Sequence, residues 1–221
     1  MHTAPTSLPD MPPAATPKAE QTRLRIALTA ERLVADQGLG AVSTRMVARE
    51  ANLKNNSSLN YHFGTMEVLF EFIVQHRMSE LENFRWEMIR ARPSTAGDWT
   101  VAELIGLICL PHFQLADELG RFPYAGFLCE YLTLRYPEGF PWVMIYGDRT
   151  PPGMHYILER MRKALPHLPT DTFQRRITNA TLLFLNVLRR SSSMRTTGQA
   201  LHPHHPIVRD TLAQSVGVLT A

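Results

Sequence analysis

The order of apolar and polar positions along the chain predicts helices and little else. Over residues 18–37, Ile26, Ala30, Leu33 and Val34 form a stripe at helical spacing, which Gly38 ends. Gly38 and Gly40 turn the chain into residues 43–63, which read as two short helices around a tight corner. Ser43 or Thr44 caps the first of these, and Met46, Val47 and Ala51 supply its buried face. Asn52 stands at the corner, where it tolerates a left-handed backbone, and Leu53 plugs the angle between the helices. Gly64 then breaks the structure and Thr65 caps a long helix running to about residue 90. Leu69, Ile73, Leu81, Phe84 and Met88 mark its buried side, Glu67 suits its first turn, and Pro93 stops it.

The rest of the chain continues in the same register of helix and break. Residues 100–119 are apolar on most sides, from Val101 to Leu115, which places that helix at the centre of its domain with a kink or interruption at Pro111. Residues 122–136 read as another helix. Residues 137–152 read as a long irregular loop with four prolines, carrying Trp142, Met144 and Tyr146. Further helices are expected from Pro152 or Gly153 to about residue 165, from Thr170 or Asp171 to about 190, and over 206–219. The helix over 171–190 is apolar on two faces, so one of them wants a partner. No internal repeat and no alternating strand is found.

Composition and charge narrow the class. Five prolines fall in residues 1–17, which are expected to be a disordered arm. No apolar run reaches the ~18–20 residues of a membrane span and the N-terminus does not read as a secretory signal, so no membrane partner is expected and the expected compartment is the cytoplasm. Cys109 and Cys129 are far apart in apolar surroundings and read as reduced core thiols. The net charge is +3, and residues 18–62 hold seven basic against four acidic side chains, while the remainder balances. The formal excess thus falls on the corner segment, as a phosphate-facing module requires.

That segment also concentrates the side chains that hydrogen-bond bases and phosphates. Asn55, Asn56, Ser57, Ser58 and Asn60 offer amides and hydroxyls to base edges or phosphates. Lys54, Arg45 and Thr44 suit phosphates, and so does the hydroxyl of Tyr61. His62 reads equally as a packing or a phosphate-contacting residue, and Phe63 as core. Arg23 and Arg25 are placed to reach phosphates from the first helix. No Gly-rich phosphate loop, nucleophile elbow or zinc signature appears, so neither an enzyme nor a cofactor is expected. His202, His204 and His205 read as a solvated loop, and no metal site is predicted.

Over residues 23–70 the chain resembles the tetracycline-repressor-like (TetR/AcrR) family of bacterial transcription regulators. The resemblance rests on Ile26, Ala30, Leu33 and Gly38, on Ser43, Thr44, Val47 and Ala48, and on Leu59, Tyr61, His62, Phe63, Gly64, Glu67 and Leu69. NNSSLNYHFG is similar to the branch with Asn-Asn-Ser before Tyr-His-Phe-Gly. Two positions depart from the common pattern: Asn52 replaces a corner glycine, and Met66 stands where a lysine is common. The resemblance implies an all-α homodimer, with a three-helix DNA-binding head over residues 18–64 and an effector-binding and dimerisation body over 65–221. It further implies double-stranded DNA with a palindromic operator as partner, and a repressor released by a small effector.

For the effector, the large side chains Phe84, Met88, His112, Phe113, Phe127, Tyr131, Trp142 and Tyr156 are the candidates, which favours an apolar or aromatic molecule. For dimerisation, Ile177, Phe184 and Leu188 with Leu212 and Val216 are expected to form a four-helix bundle about a two-fold axis. The rival expectation is a helical small-molecule-binding protein or enzyme without operator-specific DNA binding.

Overall fold

In a computed structural model, which describes residues 17–53, 55, 57–140, 151–194 and 201–221, the described chain is helical. The helices are α1 (Pro17–Gln37), α2 (Thr44–Glu50), α3 (Ser57–Phe63), α4 (Met66–Ala91), α5 (Val101–Cys109), α6 (Pro123–Arg135), α7 (Pro152–Ala164), α8 (Thr170–Met194) and α9 (Pro206–Thr220). Short 3₁₀ turns occupy Leu39–Ala41 and Leu110–Leu115. The expected arm over residues 1–17 lies outside the described residues except for Pro17, which opens α1.

Most boundaries follow the predicted signals. Ser43, rather than Thr44, caps α2, its Oγ accepting from the Met46 amide at 3.3 Å. Thr65 caps α4 through the Val68 amide at 3.3 Å. The apolar run over 100–119 is interrupted at Pro111, as expected: α5 ends at Cys109 and passes into the 3₁₀ turn. Pro111 is the cause, because it has no amide proton and its ring collides with the carbonyl four residues back. Leu104 to Cys109 are all buried, so α5 is indeed central.

One continuous apolar core joins the three N-terminal helices to the body. Two contacts on α1 hold that junction. Glu31, buried in α1, receives two hydrogen bonds from Arg77 of α4, both 2.7 Å, and Arg77 also bonds Glu80 at 2.7 Å. On its other side α1 lies so near α6 that a Cβ on Gly126 would stand 2.8 Å from the Ala35 Cβ. Glu130 of α6 extends this contact, accepting from the Leu39 amide at 3.4 Å and from Arg189 of α8 at 3.0 Å. A displacement of α6 therefore reaches α1 with little slack.

Helices α8 and α9 pack extensively and antiparallel: Arg176 donates to the Leu219 carbonyl at 3.2 Å, and Ser215 to the Ala180 carbonyl at 3.1 Å. The small buried Ser215 permits that close approach. This packing corrects part of the expected dimer face. Ile177, Phe184 and Leu188 are 0% exposed within the single chain. They serve the chain's own core and have no surface to offer a second copy. Leu212 and Val216 are only half-buried, as are Leu182, Leu183 and Val187 on α8.

Candidate functional site

The corner between α2 and α3 is built by backbone chemistry. Ala51 caps α2, Asn52 adopts φ 52°, its amide bonds the Arg49 carbonyl at 3.0 Å, and the Leu53 amide bonds the Ala48 carbonyl at 2.9 Å. Those two bonds close the helix end in a Schellman arrangement. A left-handed residue is required there, and asparagine supplies it at small cost. Leu53 turns inward against the core, as expected of the plug.

Asn55 stands just ahead of α3. Its Oδ1 accepts from the Ser58 amide at 3.0 Å and from the Ser58 hydroxyl at 2.9 Å, so the carboxamide caps the helix. Leu59 and Phe63 bury one side of α3, while Ser57, Asn60 and Tyr61 lie exposed at i, i+3 and i+4. Tyr61 is 85% exposed, a large aromatic left in water. Arg45 is exposed and Thr44 half-exposed at the start of α2. Lys54 and Asn56 lie outside the described residues.

Arg23 differs from the expected phosphate ligand. Its Nη1 donates to the His62 carbonyl at 2.8 Å, and its guanidinium lies over the rings of Phe63 and Phe72 at 4.7 and 4.9 Å. It thereby pins the end of α3 to α1 and α4 by a charge-assisted bond at the helix C-terminus and by cation–π contact. Arg25 remains exposed. His62 is half-buried edge-on to Tyr61 at 5.2 Å, and burial with the nearby Arg23 charge lowers its pKa, favouring the neutral ring. Met66 packs against the core, so no cation replaces it at that position.

In the body, the candidate residues fall into separate clusters. His112, Tyr124, Phe127 and Tyr131 stack in sequence, with centroids 5.9, 6.2 and 5.7 Å apart. Phe113 meets Phe122 and Phe184 edge-on at 5.6 and 6.1 Å. Tyr156 belongs to a third cluster, taking a hydrogen bond from Trp99 at 3.1 Å beneath the Arg160 guanidinium at 3.3 Å. Phe84 and Met88 are half-buried on α4, and Trp142 lies outside the described residues.

Arg85 was missed by the sequence reading. It is 0% exposed on α4 and stands on the stripe Met78, Leu81, Arg85, whose i, i+3, i+7 spacing marks it as inward-facing. Its nearest carboxylate oxygen among the described residues is Glu82 Oε2 at 3.8 Å, beyond hydrogen-bond reach. Burial lowers its pKa to about 10, which still leaves it charged at neutral pH. His112 is 4% exposed, and its Nδ1 lies 3.1 Å from the Cys109 carbonyl. A carbonyl only accepts, so Nδ1 carries the proton and Nε2 is a bare acceptor. Burial and the Arg85 charge lower its pKa to about 3.

Both cysteines are buried and unpaired; burial pushes the Cys129 thiol up to about 12 and Cys109 higher. His205 caps α9, its Nδ1 accepting from the Ile207 amide at 3.2 Å. Among the described residues, no helix is long and apolar enough to cross a membrane.

A helix-turn-helix with an outward polar face, carried on a larger helical body, defines a nucleic-acid-binding class of architecture. Residues 26–73 match a family model described as bacterial regulatory proteins, tetR family. That span runs from the core of α1 through the corner and α3 into α4. No curated protein matches the chain. Among solved structures, a candidate transcriptional regulator of Streptomyces coelicolor A3(2) is 20% identical, with 91% of this chain and 99% of that one covered and a TM-score of 0.43. The multidrug binding protein EbrR, complexed with imidazole, is 19% identical, with 94% of each chain covered and a TM-score of 0.43.

Proposed function

We propose that the protein is a sequence-specific DNA-binding transcription regulator, working as a homodimeric repressor that a small effector releases from a palindromic operator. The observation that carries this reading is the face of α3. Ser57, Asn60 and Tyr61 stand out in water on a helix seated by Leu59 and Phe63, inside the segment that matches the regulatory family model. Ser57 and Asn60 meet bases or phosphates in the major groove, with Asn56, Ser58 and the free amide group of Asn55. Arg45, Lys54, Thr44, Tyr61 and His62 hold the phosphates.

Two copies of α3 would read half-sites ~34–36 Å apart. An effector among Phe127, Tyr131 and His112 would move α6, and the close Gly126–Ala35 approach with the Glu130–Leu39 bond would pass that movement to α1. In this reading the domain division stays at residue 64, a choice supported by Gly64 after α3 and by Thr65 capping α4, the helix shared with the body.

Selection of bound sequences from random duplex DNA tests the reading. The expected result is a palindromic consensus bound with steep salt dependence. Weak binding to every sequence alike would overturn it and favour a ligand-binding protein without an operator.

A further inference from the structure

We propose that Arg85, with Tyr124 and His112, anchors an internal site for a small carboxylic acid bound as its carboxylate, with an apolar or aromatic tail. This rests on the reading of the body as an effector domain and names the effector's chemical class.

The polar groups that converge here lack protein partners among the described residues. Arg85 Nε, Tyr124 Oη, His112 Nε2 and Glu82 Oε2 are all buried without a hydrogen bond. They come from α4, α6 and the 3₁₀ turn, and the His112 and Tyr124 rings stack at 8°. Arg85 is near enough for its charge to act on His112, Tyr124 and Cys109. Its own bonds are weak: Nη1 reaches the Met78 carbonyl at 3.5 Å and Nη2 the Met78 sulfur at 3.8 Å. A buried guanidinium without a hydrogen-bonded anion carries a large desolvation cost.

Glu82 does not supply that anion. Its Oε1 accepts from the Trp86 indole at 3.0 Å and from the Gly153 amide at the start of α7, which draws the carboxylate toward α7. A Cβ on Gly153 would stand 2.8 Å from that oxygen, so glycine is what permits the approach. Arg77 is occupied by Glu31 and Glu80. Arg85 Nε and the Tyr124 hydroxyl are left as buried donors without a partner, a pair of donors that a carboxylate can take.

The class follows from charge and shape. With Glu82 Oε2 already 3.8 Å away, Arg85 can balance at most one further negative charge, which disfavours a dianionic phosphate. His112 Nε2 can accept from a hydroxyl or amide proton elsewhere on the ligand. The adjoining ring faces of Tyr124 and Phe127, with α5 buried from Leu104 to Cys109, suit an apolar tail.

The test compares acids with their neutral amides on the full-length protein: butyrate, octanoate and decanoate, benzoate and phenylacetate, each beside its amide. Affinity is read by calorimetry and thermal unfolding. The expected result is at least one acid bound about tenfold or more tighter than its amide, with that preference lost in Arg85→Met. The ligand-free Tm of Arg85→Met should change little, because the guanidinium makes only a 3.8 Å ion pair with Glu82 and long contacts to Met78. A purely structural arginine would instead lower it.

Absence of acid-over-amide preference in every pair overturns the proposal, as does a preference that survives Arg85→Met. Should that variant fail to fold, the wild-type comparison still decides, and Tyr124→Phe must weaken the preferred acid. Operator binding is measured on the same samples. Selective DNA binding with no acid preference sinks the anchor and leaves the regulator, while acid preference without selective DNA binding does the reverse.

Discussion

Asn55 shows how a residue can carry a structural and a reading role at once. Its Oδ1 is occupied by the Ser58 amide and hydroxyl, so only its amide donors remain for DNA. Replacing it by alanine removes the cap and should cost ~1 kcal/mol, confounding readout with folding. Asn55→Asp keeps the capping oxygen but brings a negative charge to the phosphates. It should hold its Tm and lose operator binding in a mobility-shift titration. Wild-type affinity would place position 55 away from DNA.

His112 carries a different prediction, on pH. Its native pKa of about 3 lies below the 6.5 of a free histidine, so between those values the unfolded chain binds more protons than the folded one. Stability from this group is therefore present above pH 6.5 and is lost as pH falls toward 3. From pH 6.5 to 5 the loss should be about 2 kcal/mol. His112→Gln should flatten the dependence of unfolding free energy on pH by that amount, and the difference between the two proteins cancels the carboxylates that titrate alike in both. Parallel curves would show that His112 protonates freely in the folded state.

At the scale of the element, α3 has only seven residues, too short to persist by itself. It is held by Leu59, Phe63, the Asn55 cap and the Arg23 clamp on its last turn. Arg23→Met keeps much of the side chain's bulk and removes the bond to the His62 carbonyl. The expected outcome is faster amide exchange in α3 and weaker operator binding with an unchanged salt slope. A phosphate contact would reduce that slope by ~1 instead. Arg23 stands on the buried stripe of α1, three before Ile26 and seven before Ala30, while Arg25 does not; the partners it meets there, Phe63 and Phe72, are set by packing.

For the whole molecule, the pairing of α8 with α9 decides what remains for a second copy. Phe184→Asp buries an unpaired charge in the chain's own core and should unfold it, with a loss of ~3–5 kcal/mol or more. Leu183→Asp changes a half-buried position and should give a folded monomer. Light scattering with circular dichroism separates the two results, and a Leu183→Asp dimer of wild-type mass would remove this face as the interface. The helix over 171–190 was legible as apolar on two faces. Which face goes inward depends on α5, α6 and α9, and no local pattern carries that information.

The amino-acid order alone determined the helices, their caps, the corner at Asn52 and the polar run on α3. These depend on backbone conformations and spacings that neighbouring residues set among themselves. Asparagine tolerates φ 52°, Pro111 stops a helix, and apolar positions three and four apart share a face. Tertiary structure alone decided which charges are buried and with whom. Arg85 stands on the apolar stripe of α4, but its surroundings are set only when α4, α6 and the turn after α5 close over it, and Phe184 looks like an interface until α8 meets its own core. Burial and partnership arise from segments far apart in the chain, and they set a buried positive charge beside side chains that the sequence offered only as apolar or aromatic candidates.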